Sequence, residues 1–183
     1  MFQMLFERSA EAIFLLDTKN TVFVDCNAAA VAMMRCENKA QLLAVHPAKL
    51  SAERQPDGCS SVNKTAEMIA LTLKQGSHRF EWMARRFTGE DFLVEVVLTP
   101  IQFGEQPLIA TVCREITERK QAEAALRDSE RKLRLLFESS LDSILILDPE
   151  RKVCVDCNEA AVRISRGGGK EWLVSQSCAS LAP

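Results

Sequence analysis

Apolar and polar positions alternate most cleanly in DFLVEVVLTPIQF, where Phe92, Val94, Val96 and Leu98 fall on one face of an expected strand. HRFEWMARRF before it and PLIATVCREI after it read as two further strands, joined by the turns TGED and GEQP. Two earlier segments, AIFLLD (Ala12 to Asp17) and TVFVDCN (Thr21 to Asn27), are strand-like and separated by the tight turn TKN. Helical spacing appears elsewhere. A short lead-in helix is predicted over Met1 to Ser9, with Phe2, Leu5 and Phe6 on one side. Asn27 precedes an alanine-rich run and suits a helix N-cap. Ser61 to Gln75 forms the best isolated helix, ended by Gly76, with Val62, Ala66, Ile69 and Leu73 on one face and Met68 and Leu71 widening it. The segment HPAKLSAERQPDGCSS reads as loop with at most one helical turn.

After Ile116 the pattern changes. TERKQAEAALRDSERKLRLLFE lacks Gly and Pro and predicts one continuous helix that Thr117 can cap. Its heptad seam, Arg119, Ala122, Leu126, Ser129, Leu133 and Leu136, is only half apolar. Such a helix has little to bury alone, so pairing with a second copy through Ala122, Leu126, Leu133 and Leu136 is expected. Five strands and one long amphipathic helix must bury their apolar faces together, which predicts an α+β domain with an antiparallel sheet covered by helices.

The chain also repeats itself. Leu5 to Val31 (LFERSAEAIFLLDTKNTVFVDCNAAAV) returns without a gap as Leu136 to Val162 (LFESSLDSILILDPERKVCVDCNEAAV). An offset of ~131 residues matches a domain plus a connector, longer than a solenoid repeat. The expected organisation is a complete domain over 1–116, a helical linker over 117–135 and the opening of a second domain over 136–183, the whole being a piece of a longer modular protein. That second copy lacks its later strands, so disorder or pairing with another chain's edge is expected beyond Ser140.

A formal net charge of -2 with no basic cluster argues against nucleic acid as a partner. The longest apolar runs are too short to span a membrane, and no secretory signal pattern is present, so a cytoplasmic setting is expected. Seven cysteines do not form a disulfide framework. Cys154 and Cys157 have C-x-x-C spacing, but the repeat places Cys154 where the first copy has Phe23. Strand alternation would send the two thiols to opposite faces, so buried reduced cysteines are expected rather than a thiol oxidoreductase pair.

Three segments, taken in order, resemble the PAS sensory domains. AIFLLDTKNTVFVDCNAAA is similar to the first two PAS strands and the start of the following helix. GSHRFEWMARRFTGEDFLVEVVLTPI is similar to the later hairpin, and TVCREITERKQAEAAL to the D-I-T-E-R-K exit. The resemblance covers Leu5 to about Leu126 and restarts at Leu136. It implies a five-stranded sheet in the order 2-1-5-4-3 and a pocket between sheet and helices. It also implies a bacterial signalling protein whose output, a histidine kinase or a cyclic-di-GMP enzyme such as a diguanylate cyclase, lies outside this stretch. No enzymatic activity is expected of the stretch itself. Glu115 stands where the exit usually has Asp, and the extra methylene is expected to loosen that carboxylate's contact with the core. Glu115, Ile116 and Thr117 are the expected relay from last strand to helix.

Cofactor marks known in that family are missing from the residues. Cys36 in MMRCENK does not fit the flavin-adduct motif, Ser61 to Gln75 holds no histidine for haem, and the chain has no tyrosine for a thiol-bound chromophore. A non-covalent small metabolite, or nothing, remains. Its pocket walls would come from Met68, Ile69, Phe80, Trp82, Val94 and Val96, with Met33 and Met34 as flexible filling. The competing reading is a ligand-free interaction domain in which the same residues are simply core. His46 and His78 read as solvated or capping, RGGGK (Arg166 to Lys170) as a turn and not a phosphate loop, and Asp25 and Asp156, with no base or metal partner in sequence, as turn formers and not catalysts.

Overall fold

The computed structural model describes residues 2–104, 106–165, 169–174 and 176–177, without the side chain of Phe2. Two compact units divide the chain, Met1–Lys120 and Gln121–Pro183. The first contains α1 (Phe2–Arg8), β1 (Ala12–Asp17), β2 (Val22–Cys26), α2 (Ala28–Met34), α3 (Lys39–Leu43), a single 3-10 turn (Pro47–Leu50), α4 (Ser61–Gln75), β3 (His78–Arg85), β4 (Asp91–Phe103) and β5 (Gln106–Glu115). Its sheet runs β2-β1-β5-β4-β3 with every neighbour antiparallel. The alternation of β4 is realised: Phe92, Val94, Val96 and Leu98 are all buried, and they join Phe14, Leu16, Met34, Met68, Trp82 and Ile109 in one core. On the opposite face a small cluster forms, where Phe6 of α1 packs on Leu15 and Leu108. Leu5 does not share that side, as the lead-in periodicity predicted, but is 70% exposed.

Asn27 caps α2 as expected, and its role is wider. Its side-chain oxygen accepts from the amides of Ala30 and Ile13, and its amide nitrogen donates to the carbonyls of Phe6 and Glu11. One buried side chain thus ties α1, β1 and α2 together.

Helix α4 turns differently from its apolar pattern. Val62, Ala66 and Leu73 face solvent, while Ser61, Met68 and Thr72 are buried. Intrahelical bonding explains the difference: Thr72 Oγ1 donates to the Met68 carbonyl at 2.8 Å and Thr65 Oγ1 to the Ser61 carbonyl at 2.7 Å. Hydroxyls satisfied in this way can face a core as small apolar groups.

Helix α5 (Thr117–Ser139) is continuous and buries no residue along its length. Beyond it the second unit forms β6 (Leu145–Asp148), β7 (Val153–Cys157), α6 (Glu159–Ile164) and α7 (Lys170–Val174). Instead of lacking structure, this copy pairs β6 with β7 and closes a small core of Cys154, Cys157, Ala161 and Leu173. No third strand joins them among the described residues, so Leu145, Ile146 and Leu147 stand exposed where Phe14, Leu15 and Leu16 of the first copy are buried.

The alternation argument for the cysteines fails here. Register jumps between Ile146, opposite Asp156, and Leu147, opposite Cys154, leaving Val155 as an extra residue. The same bulge leaves out Val24 between β1 and β2. An inserted residue restores the facing of positions three apart, so Cys154 and Cys157 enter one core, as Phe23 and Cys26 do in the first unit. Burial, then the neighbouring Cys154, push the Cys157 thiol up, which disfavours the thiolate a redox pair requires.

A second shared device surrounds each bulge. Lys39 contacts the carboxylates of Asp25 and Glu7, and Lys170 contacts Asp156 at 2.7 Å and Glu138 at 3.3 Å. Asp25 and Asp156, expected to be turn formers and not catalysts, are thus ion-paired with lysines, and each also accepts from the amide that follows it. Hydrogen bonds from Lys170 and then Arg134 hold the Asp156 carboxyl down to about 2. A depressed folded value contributes stability that is present above the ordinary 3.8 and lost as pH falls through about 2. Acid titration of the second unit should therefore show destabilisation across that window, and Asp156→Asn should flatten it in circular dichroism. Of the expected Arg166 to Lys170 turn, Arg166 to Gly168 lie outside the described residues, and Lys170 is occupied by carboxylates. Among the described residues no helix is long and apolar enough to cross a membrane.

Candidate functional site

Between the inner face of the five-stranded sheet and helices α2 and α4 lies a cavity of about 110 Å³. All six residues picked out from the sequence line it: Met68 and Ile69 from α4, Phe80 and Trp82 from β3, Val94 and Val96 from β4. So do Met33 and Met34 of α2. Sequence reasoning missed the β1–β2 wall, Phe14, Leu16 and Phe23, and the β5 pair Thr111 and Cys113. The β5 pair carried a signal, since Ile109, Thr111 and Cys113 recur at period two and all three are buried. Phe23 could not be found by alternation because the bulge re-aims it.

The walls are almost wholly apolar, and their polar groups are few. Trp82 Nε1 donates to Ser51 Oγ at 2.9 Å, which fixes the indole against the loop after the 3-10 turn. Phe80 meets Trp82 edge-on at 5.8 Å between ring centres, and Phe14 meets Phe23 at 4.9 Å. Burial drives the Cys113 thiol up to about 12, so it remains protonated.

The family model for the PAS domain matches residues 10–118, and a second PAS domain model matches residues 131–178. The chain belongs to the PAS domain family. Among solved structures, the PAS domain of a two-component sensor histidine kinase is 23% identical, with TM-score 0.51, covering 62% of this chain and 92% of that one. A PAS domain from Colwellia psychrerythraea is 19% identical, with TM-score 0.54 and coverages of 64% and 95%. The PAS domain of a LuxR-family transcriptional regulator from Burkholderia thailandensis, solved in complex with ethanol, is 18% identical, with TM-score 0.51 and coverages of 63% and 97%. No curated protein matches.

Seen as a PAS domain, the chain has its exit at Glu115, Ile116 and Thr117. The Ile116 amide donates to the Leu93 carbonyl at 2.9 Å. Thr117 does not cap α5 with its side chain: its Oγ1 accepts from the Leu93 amide at 3.0 Å and faces the Leu93 carbonyl at 3.4 Å. Both backbone groups of Leu93 are thus spent on the strand-to-helix junction. Glu115 has not lost its contact through the extra methylene, because Arg86 Nη2 donates to its Oε1 at 2.7 Å. Arg86 is itself buried, donates to the Met33 carbonyl and lies 3.8 Å over the ring of Phe92, a cavity residue. The sequence offered no cue that one of two adjacent arginines would be interior. Arg85 pairs with Asp91 at the surface, as strand alternation requires of its neighbour.

His46 Nδ1 accepts from the Ala48 amide and caps the 3-10 turn, while His78 stacks on Phe80. Among the described residues no cluster of three or more His, Cys, Asp or Glu is placed to hold a metal.

Proposed function

We propose that this chain is the sensory and dimerisation part of a bacterial signal-transduction protein, of the histidine kinase or cyclic-di-GMP class. It takes a small molecule in the cavity and relays occupancy through β5 into α5. One observation carries the reading: the strand that lines the cavity with Thr111 and Cys113 reaches Glu115 two residues later and enters α5 without a break. Arg86 supports the coupling, since it touches both the cavity ring Phe92 and the exit carboxylate Glu115. A ligand that shifts Phe92 changes the seat of the guanidinium and with it the start of the helix. The ethanol found in the Burkholderia domain is a small molecule of the size such a cavity accepts. Redox sensing is less well supported, because Cys26 and Cys113 are buried and their thiols lie at about 11 and 12.

The relay needs a second helix to act on. Leu126, Leu133 and Leu136 are 60%, 64% and 68% exposed, and Ala122 is exposed as well, so the seam has no partner among the described residues. Pairing two copies covers it, and a half-apolar seam leaves the pair near balance between registers. Light scattering after gel filtration should give a dimer for the unaltered chain and a monomer for Leu126→Asp combined with Leu133→Asp. A double variant that still dimerises would remove the paired-helix mechanism. Catalysis of any output belongs, in this reading, to another domain.

A further inference from the structure

Thr111 is the one cavity-lining side chain whose hydroxyl is buried without a hydrogen-bond partner among the described residues. The other two hydroxyls of the lining are engaged: Ser51 Oγ accepts from Trp82 and Thr65 Oγ1 donates to Ser61. Thr111 sits at the centre of the sheet, opposite Phe14 on β1 and Leu98 on β4, so apolar side chains flank it on both strands. Neither of those neighbours can satisfy an oxygen. A buried hydroxyl left alone is unfavourable, and a ligand atom that meets it recovers the loss.

We propose that the cavity binds a small uncharged molecule, largely hydrocarbon, that places a single hydroxyl oxygen against Thr111 Oγ1. Size, polarity and charge all converge on this class. A cavity of about 150 Å³ holds the six carbons of benzene, so one of about 110 Å³ takes about four or five non-hydrogen atoms. That is far short of a flavin or a porphyrin. Among the described residues no charged side chain lines the cavity, and an ion entering it would lose its hydration without compensation. Cys113, two residues along the same strand face, is held as the neutral thiol by its burial and behaves as a further apolar contact. Thr111 is thus a specificity-determining residue: it selects an alcohol over a hydrocarbon of equal shape. The inference rests on the reading of the cavity as the sensory site and adds the chemistry that the site recognises.

Cyclobutanol and methylcyclobutane, each with about five non-hydrogen atoms, form a matched pair of probes of that size. Titrated into the full chain, their binding is read from the methyl resonances of Met33, Met34 and Met68 in the cavity wall, with exposed Met4 as control. Cyclobutanol should shift the first three and leave Met4 in place. Thr111→Val keeps the shape and removes the hydroxyl, and it should weaken cyclobutanol about tenfold, the equivalent of one hydrogen bond, without weakening methylcyclobutane. Thr111→Ser should restore the preference. If the ratio of the two affinities is the same in the unaltered chain and Thr111→Val, the hydroxyl anchor is overturned while the cavity stays a ligand site. If neither probe moves any of the three cavity methyls, both the ligand class and the cavity reading fall. The helix-pairing relay is judged separately, by the oligomeric state of the leucine variants.

Discussion

Asn27→Ala should cost the first unit about 4 kcal/mol of stability, since two amides and two carbonyls lose their partner at once and each buried group so released costs roughly 1–3 kcal/mol before water relieves part of it. Ile13 and Ala30 lose an acceptor, Phe6 and Glu11 lose a donor, and the side chain involved is fully buried. An ordinary N-cap lost to alanine costs about 1 kcal/mol, so the excess measures the long-range ties. Urea unfolding followed by Trp82 fluorescence in a Trp172→Phe background would report it. A loss near 1 kcal/mol would mean that Asn27 is only a local cap. Asn27→Asp should be no milder, because the carboxylate accepts as before but turns its second oxygen toward two carbonyls. Asn158 holds the second unit in the same manner, accepting from Ile144 and Ala161 and donating to Asp142.

The second large effect falls on the Arg86–Glu115 pair and is asymmetric. Glu115→Ala should cost about 3 kcal/mol, since it leaves a guanidinium buried without its main counter-charge. The side chain of Arg86 is 5% exposed and that of Glu115 38%. Arg86→Met is milder, about 1–2 kcal/mol, because the freed carboxylate rehydrates and the methionine still covers Phe92. The double variant should resemble Arg86→Met alone, giving a coupling of about 3 kcal/mol in a double-mutant cycle. Single costs that simply add would show that the two groups do not interact. Glu115→Ala should also speed hydrogen exchange at the first turn of α5, where the Lys120 amide donates to the Ile116 carbonyl.

Much of this was legible in the residues because it is written in periodicity. The run from Phe92 to Leu98 can satisfy a period of two and no helix, and Thr117 to Ser139 has neither a breaker nor a second apolar stripe. The pocket residues followed from the same facing rule. What was hidden depends on exceptions to periodicity. A bulge reverses the facing of Phe23 and Cys154, and no residue type announces it. Threonines that bond their own helix replaced Val62 and Leu73 on the inner side of α4. Arg86 is interior only because Glu115, some thirty residues away in the chain, comes to meet it. The pairing of Lys39 with Asp25 was equally invisible, although its recurrence at Lys170 and Asp156 was available once the repeat was aligned.

The duplicated Lys–Asp–Glu cluster also bears on how each unit comes together. Its members span Glu7 to Lys39 and Glu138 to Lys170, so closing it constrains only a short loop. The other edge of β1 must find β5 across a long excursion, Ala12 meeting Cys113. Contacts near in sequence forfeit little chain freedom and form readily, whereas distant pairings are slow. Each unit therefore starts from an opening segment able to fasten itself, and the first one gains its Thr111 wall and its way out to the rod only with β5, the last of its own strands.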